Sequence, residues 1–103
     1  MKIYLIVAIL VVANSAFSAE ISISQKNKKF DKTAIKIKKG DTVLFKNDEK
    51  DITHNVFSLG PKNSFELKTQ SPGASSAIKF DEAGTTDVEC AIHTGMKLKV
   101  TVE

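Results

Sequence analysis

The chain has 103 residues, with fifteen cationic and twelve acidic side chains and a formal charge of +3. That length is one small domain. Every cation is lysine and none is arginine, the residue best suited to bidentate phosphate and guanine recognition, so nucleic-acid binding is disfavoured and a solvated lysine surface is the plainer account.

Lys2, the apolar run Ile3 to Ala13, and then Asn14, Ser15 and small residues follow the order of an export signal. The apolar run is too short to span a bilayer as a helix, which needs ~20 residues. Cleavage after Ser18 sets Ala16 and Ser18 at the two small-residue positions, whereas cleavage after Ala19 would put bulky Phe17 at one of them. The expected organisation is therefore a signal peptide over 1–18 and a mature domain over 19–103, exported to the periplasm and free of the membrane once cleaved. Export also makes the lone cysteine informative, because cysteines in an oxidising compartment normally pair and Cys90 has no partner in the chain.

After the leader the pattern alternates with the period of strands. Ile21–Ser24 is a first strand, and Gln25–Lys32 reads as an irregular polar excursion with Phe30 tucked inward. Ala34–Lys38 and Thr42–Lys46 alternate around the turn Lys39, Gly40, Asp41. The turn Asn47–Asp51 leads to a strand over His54–Leu59, and Gly60–Ser64 turns the chain into Phe65–Lys68. Ser76–Phe80 is another strand. Thr85–Cys90 sets Thr86, Val88 and Cys90 on one face, and Leu98–Val102 closes the domain. About eight short strands with frequent turns predict an all-β sandwich, whose end loops lie side by side.

Chemistry concentrates in Cys90, Ala91, Ile92, His93, Thr94, Gly95, Met96. A thiolate, an imidazole and a thioether within seven residues allow one loop to wrap a metal ion, and His54 is the only other histidine. Two His, one Cys and a weak axial Met are the ligand set of a mononuclear copper site. Zinc fits less well, since a thioether is a poor ligand for it. A Cys90–His93 nucleophile pair is the enzymatic rival; three residues apart on a tight loop, with no orienting group evident beyond Asn55, the pair lacks the usual geometry.

At these residues the chain resembles the cupredoxins, the small blue copper proteins of the plastocyanin, pseudoazurin and amicyanin group. They carry a mid-chain His followed by Asn, here His54 and Asn55, and a C-terminal Cys-x-x-His loop ending in Met, here with the short spacing of amicyanin-like members. The resemblance implies a Greek-key β-sandwich holding one copper ion through His54, Cys90, His93 and Met96. It implies a monomeric, non-enzymatic carrier that moves one electron between larger redox proteins, with an amine dehydrogenase as donor and a cytochrome as acceptor. A periplasmic copper chaperone or scavenger would use the same four residues without redox turnover.

Departures from relatives add expectations. Ala91 lacks the hydroxyl that often ties Asn55 to the cysteine loop. Ile92, where many relatives have proline, has an N–H expected to reach the Cys90 sulfur and raise the potential. Glu89 replaces a tyrosine that serves some relatives as a remote port, which leaves the His93 edge as the electron route. Docking is expected at Ile92 and Pro61, steered by Lys50, Lys62 and Lys97.

Overall fold

Period-two alternation becomes two facing sheets in the computed structural model, which describes residues 18–103. The proposed leader lies outside the described residues. Among those described, no helix is long and apolar enough to cross a membrane. The strands are β1 (Glu20–Lys26), β2 (Lys29–Phe30), β3 (Ala34–Ile37), β4 (Thr42–Asn47), β5 (Val56–Ser58), β6 (Phe65–Glu66), β7 (Ser75–Lys79), β8 (Gly84–Cys90) and β9 (Lys97–Val102). One sheet runs β2-β1-β4-β7 and the other β3-β9-β8-β5-β6. The chain crosses repeatedly between the two. The parallel pairs β1 with β4 and β3 with β9 therefore join strands distant in sequence order.

The all-β sandwich is as expected. Inward residues alternate along each strand: Val43, Phe45 and Asn47 on β4, Thr86, Val88 and Cys90 on β8, and Leu98, Val100 and Val102 on β9 are all buried. Phe30, Phe45, Phe65 and Phe80 form a chain of aromatic contacts across the interior, with centroids 5.6–6.5 Å apart. Each fully buried aliphatic or aromatic side chain contributes about 1.5–3 kcal/mol of transfer free energy, so this core is the main term holding the sheets together.

One stretch differs from the expectation. Gln25–Lys32 is a hairpin, not an irregular excursion: β1 continues to Lys26, turns at Asn27 and Lys28, and returns as β2 with Gln25 opposite Phe30. Both turn residues have left-handed backbones, φ 53° and 56°, as a tight two-residue hairpin requires. Asn tolerates that conformation, but Lys seldom adopts it. The Lys28 N–H offsets the strain by donating to Glu49 Oε1 at 2.8 Å.

The pole where β1 and β4 begin is closed by a buried carboxylate. Asp41 Oδ1 accepts the Ala19 N–H at 2.9 Å and Oδ2 accepts the Lys38 N–H at 2.8 Å. The opposite pole, where β4 and β8 end, gathers the turns after Asn47 and Cys90.

Candidate metal centre

At that second pole β8 ends on Cys90, which pairs with Val56 at the start of β5, two residues beyond His54. His54 precedes the strand and is held by an isolated antiparallel bridge to Gln70: its N–H donates to Gln70 O at 3.1 Å, and the Gln70 N–H donates to His54 O at 2.7 Å. The loop after Cys90 turns back at once, with the Met96 N–H donating to His93 O at 3.0 Å, and β9 begins at Lys97. All four residues singled out from the sequence therefore belong to one end of the sandwich.

Three of them form a triangle. Cys90 Sγ lies 3.6 Å from His54 Nδ1 and 3.7 Å from His93 Nδ1, and the two imidazole nitrogens are 3.2 Å apart. A point equidistant from the three atoms lies about 2.0 Å from each, close to the bond length of a metal–imidazole contact. Such mutual closeness of potential donors is what an ion would relieve. Met96 is 1% exposed and ends the same loop, immediately before β9. His54 is fully buried and His93 partly exposed, so the site opens to solvent on the His93 side.

Its electrostatics favour a neutral imidazole. Burial pushes the His54 pKa below its ordinary value, and the His93 charge adds to the fall. The Glu49 carboxylate pulls the other way, from 3.4 Å at Nε2, but desolvation is the larger influence. Glu49 is itself held below the usual carboxylate range, first by the Lys28 N–H and then by its contact with His54. The hairpin turn thus fixes Glu49, and Glu49 faces the outward nitrogen of His54, leaving Nδ1 directed at the sulfur.

Sequence reasoning missed Glu49 and the amides behind it. Asn47 Nδ2 donates to Ile52 O and Gln70 O, both at 2.9 Å, and its Oδ1 accepts the Glu49 N–H at 3.0 Å. The alternation of β4 places Asn47 on the inward face, and a polar residue there was the available signal. Read as a turn residue, it gave none.

Ile92 departs from its expected role. The amide that reaches the Cys90 sulfur is that of Asn55, at 3.5 Å; among the described residues, the Ile92 N–H makes no such bond. Asn55 continues the strand register beside Cys90, whereas Ile92 lies beyond the strand in the exposed loop. Asn55 links the two loops through its main chain, since its carbonyl also accepts the Ala91 N–H at 2.9 Å, and its side-chain Oδ1 has no partner. The missing hydroxyl at Ala91 is thus bypassed.

Ile92 is 55% exposed at the loop tip, in keeping with a docking role, and Leu59 is 78% exposed. Of the three lysines expected to steer docking, Lys62 is hydrogen-bonded away from the site, while Lys97 remains exposed beside Glu89. Lys62 donates to Ala83 O at 2.9 Å, at the end of β8 remote from Cys90, and Lys97 lies 3.9 Å from Glu89.

Comparison with known proteins agrees with the geometry. The sequence pattern of the copper-binding proteins of the plastocyanin/azurin family matches residues 17–103. Amicyanin-alpha of Methylorubrum extorquens is 37% identical over 93 residues, which span 85% of this chain and 74% of that protein. Among solved structures, a reduced Cu(I) form of an amicyanin variant at pH 4 superposes with a TM-score of 0.73 at 28% identity over 82% of each chain. An oxidised amicyanin variant gives 0.72 at 29% identity over 88% of each. A copper-containing nitrite reductase from Thermus scotoductus SA-01 shares the fold, with a TM-score of 0.73 at 23% identity; the match covers 82% of this chain and 22% of the reductase.

Proposed function

The chain belongs to the copper-binding plastocyanin/azurin family, the cupredoxins, and on that premise we propose that it is a type 1 copper electron carrier of the periplasm. Its ligands in this reading are His54, Cys90, His93 and Met96, in a mature domain over 19–103 released from a leader over 1–18. The single observation that carries the reading is the triangle of two Nδ1 atoms and one Sγ with sides of 3.2–3.7 Å. Bound copper supplies a Cu(II)/Cu(I) couple, which stores and releases one electron.

The protein's own part is to hold that donor set still. Cys90, at the end of β8, offers the thiolate; the Asn55 N–H donates to it and spreads its charge. His54 is buried and braced by Glu49, and His93 forms the partly exposed edge through which an electron enters and leaves. Exposed Ile92 beside it gives a redox partner an apolar contact. By similarity to amicyanin, an amine dehydrogenase is the proposed donor and a cytochrome the acceptor, with the carrier monomeric.

The enzymatic rival is a Cys90–His93 pair, 3.7 Å apart in the fold, and the fold adds a second arrangement of the same kind. Glu49, His54 and Cys90 line up as an acid, a base and a sulfur, with contacts of 3.4 and 3.6 Å. Yet His54 is completely buried and Cys90 is 2% exposed, so the sulfur is closed to a substrate carbonyl. A copper chaperone is separated by kinetics. The copper-loaded protein, cycled repeatedly between oxidant and reductant beside a metal-free copper acceptor, is expected to keep its metal. Transfer of Cu(I) to the acceptor on the timescale of a redox cycle would establish the chaperone instead.

A further inference from the structure

Behind His54 the core contains two side chains that a hydrocarbon could replace at lower desolvation cost. Gln25 is completely buried and Gln70 is 2% exposed. Gln70 Nε2 donates to Phe45 O at 2.9 Å, and Gln25 Nε2 donates to Gln70 Oε1 at 2.7 Å. The first bond fixes the orientation of both amides: a carbonyl accepts only a donor, so the Gln70 nitrogen must face Phe45, its oxygen must face Gln25, and Gln25 must offer nitrogen in return. Gln25 Oε1 is left buried without a partner, a standing cost to stability.

Gln25 and Phe45 belong to the four-stranded sheet, on β1 and β4. His54 leads into β5 of the five-stranded sheet. Gln70 bridges them, with its main chain bonded to His54 in both directions and its side chain bonded across to the other sheet. The His54–Gln70 bridge is a single pair outside any strand, and the next main-chain bond between the two segments is the Leu67 N–H to Val56 O, at 2.9 Å.

We propose that the Gln25–Gln70 amide pair is a positioning device for His54, tying the ligand's main chain to both sheets so that the imidazole keeps its place when the charge at the site changes. The role rests on the copper-carrier reading. It explains why polar groups with an unpartnered oxygen stand where leucine or methionine would fit: they fix one arrangement of the loop at the expense of stability.

The test uses Gln25→Met, Gln70→Met and the double variant in the purified protein. Hydrogen exchange is followed at the His54 and Val88 amides of the metal-free form, and the thiolate-to-copper band and electron self-exchange rate in the copper-loaded form. Gln70→Met and the double variant are expected to exchange the His54 amide about tenfold faster, the factor given by loss of about one buried hydrogen bond, while Val88 in mid-β8 is unaffected. In the same two variants the band shifts and self-exchange slows. The double variant is expected to melt close to wild type, because loss of the unpartnered Gln25 oxygen offsets loss of the Gln70 donor to Phe45 O.

Unchanged His54 exchange with an unchanged band overturns the proposal. Equal acceleration at His54 and Val88 also overturns it, since that is global destabilisation alone. Should Gln70→Met not fold, Gln25→Met takes its place: it removes the bond that ties Gln70 to β1, so it is expected to speed exchange at His54 and not at Val88, and His54 exchange equal to wild type overturns the proposal. A wild-type protein that takes up copper without the band would instead refute the copper-carrier reading, and the exchange comparison would still decide whether the amides hold His54.

Discussion

Replacing Asn47 by alanine removes three hydrogen bonds from one buried side chain: two donated to Ile52 O and Gln70 O, and one accepted from the Glu49 N–H. At a net value of about 1 kcal/mol each, the loss is about 3 kcal/mol, before any cost of the small cavity. For a domain of this size each kcal/mol lowers the melting temperature by about 4–8 °C, so Asn47→Ala is expected to melt about 12–24 °C below wild type. The effect reaches the site as well. Without Asn47 the turn carrying Glu49 loses its attachment to the Gln70 segment, and both flank His54. Calorimetric melts of the metal-free protein measure the first effect, and the charge-transfer band of the copper-loaded protein measures the second. A melting point within about 4 °C of wild type would mean that the three bonds contribute less than about 1 kcal/mol together, and the reasoning would be wrong. Asn47→Asp adds a control: it keeps the acceptor for Glu49 but sets a carboxylate oxygen against two carbonyls, so it is expected to be no more stable than the alanine variant at neutral pH.

Acid is expected to destabilise the metal-free protein in two stages. The folded His54 pKa lies below its ordinary 6.5, so its stabilising contribution is complete above that value and is lost as the pH falls toward the folded pKa, while the unfolded chain takes up the proton. Glu49, depressed from 4.5, adds a second loss of the same sign below that pH. Melts from pH 8 to 3 check both stages, and His54→Gln should remove the first; a melting point independent of pH down to about 5 in wild type would contradict it. A chain starting at Glu20 lacks the Ala19 bonds to Asp41 and Thr42, and should be about 1–2 kcal/mol less stable than one starting at Ala19, by urea titration, with the same copper spectrum. Ile92→Pro removes an N–H that does not reach the sulfur, so voltammetry should find the reduction potential unchanged. A fall in potential would restore Ile92 as the sulfur's donor.

The legible parts of this protein are those governed by local period and residue chemistry. Thr86, Val88 and Cys90 alternate inward as read, and the four candidate ligands could be named because cysteine, histidine and methionine are few in the chain. The hairpin at Asn27 and Lys28 was not legible. Its turn places lysine in a left-handed backbone, which local preference argues against, and the compensating carboxylate comes from Glu49, far along the chain. Gln25, Asn47 and Gln70 were missed for a related reason. A buried amide looks like a surface amide until its partners are known, and Gln70, the partner that Gln25 and Asn47 share, is distant from both in the chain. The Asn55 N–H, too, meets the sulfur only because β5 and β8 pair in one register.

The most direct measurement is a titration of the reduced, metal-free protein with Cu(II), recorded in the visible range beside Cys90→Ser. Saturation at one copper per chain is expected, with an intense thiolate-to-copper absorption in wild type and none in the serine variant. Stoichiometric copper uptake without that absorption, or a band that survives the loss of the Cys90 sulfur, would contradict a centre built on His54, Cys90 and His93.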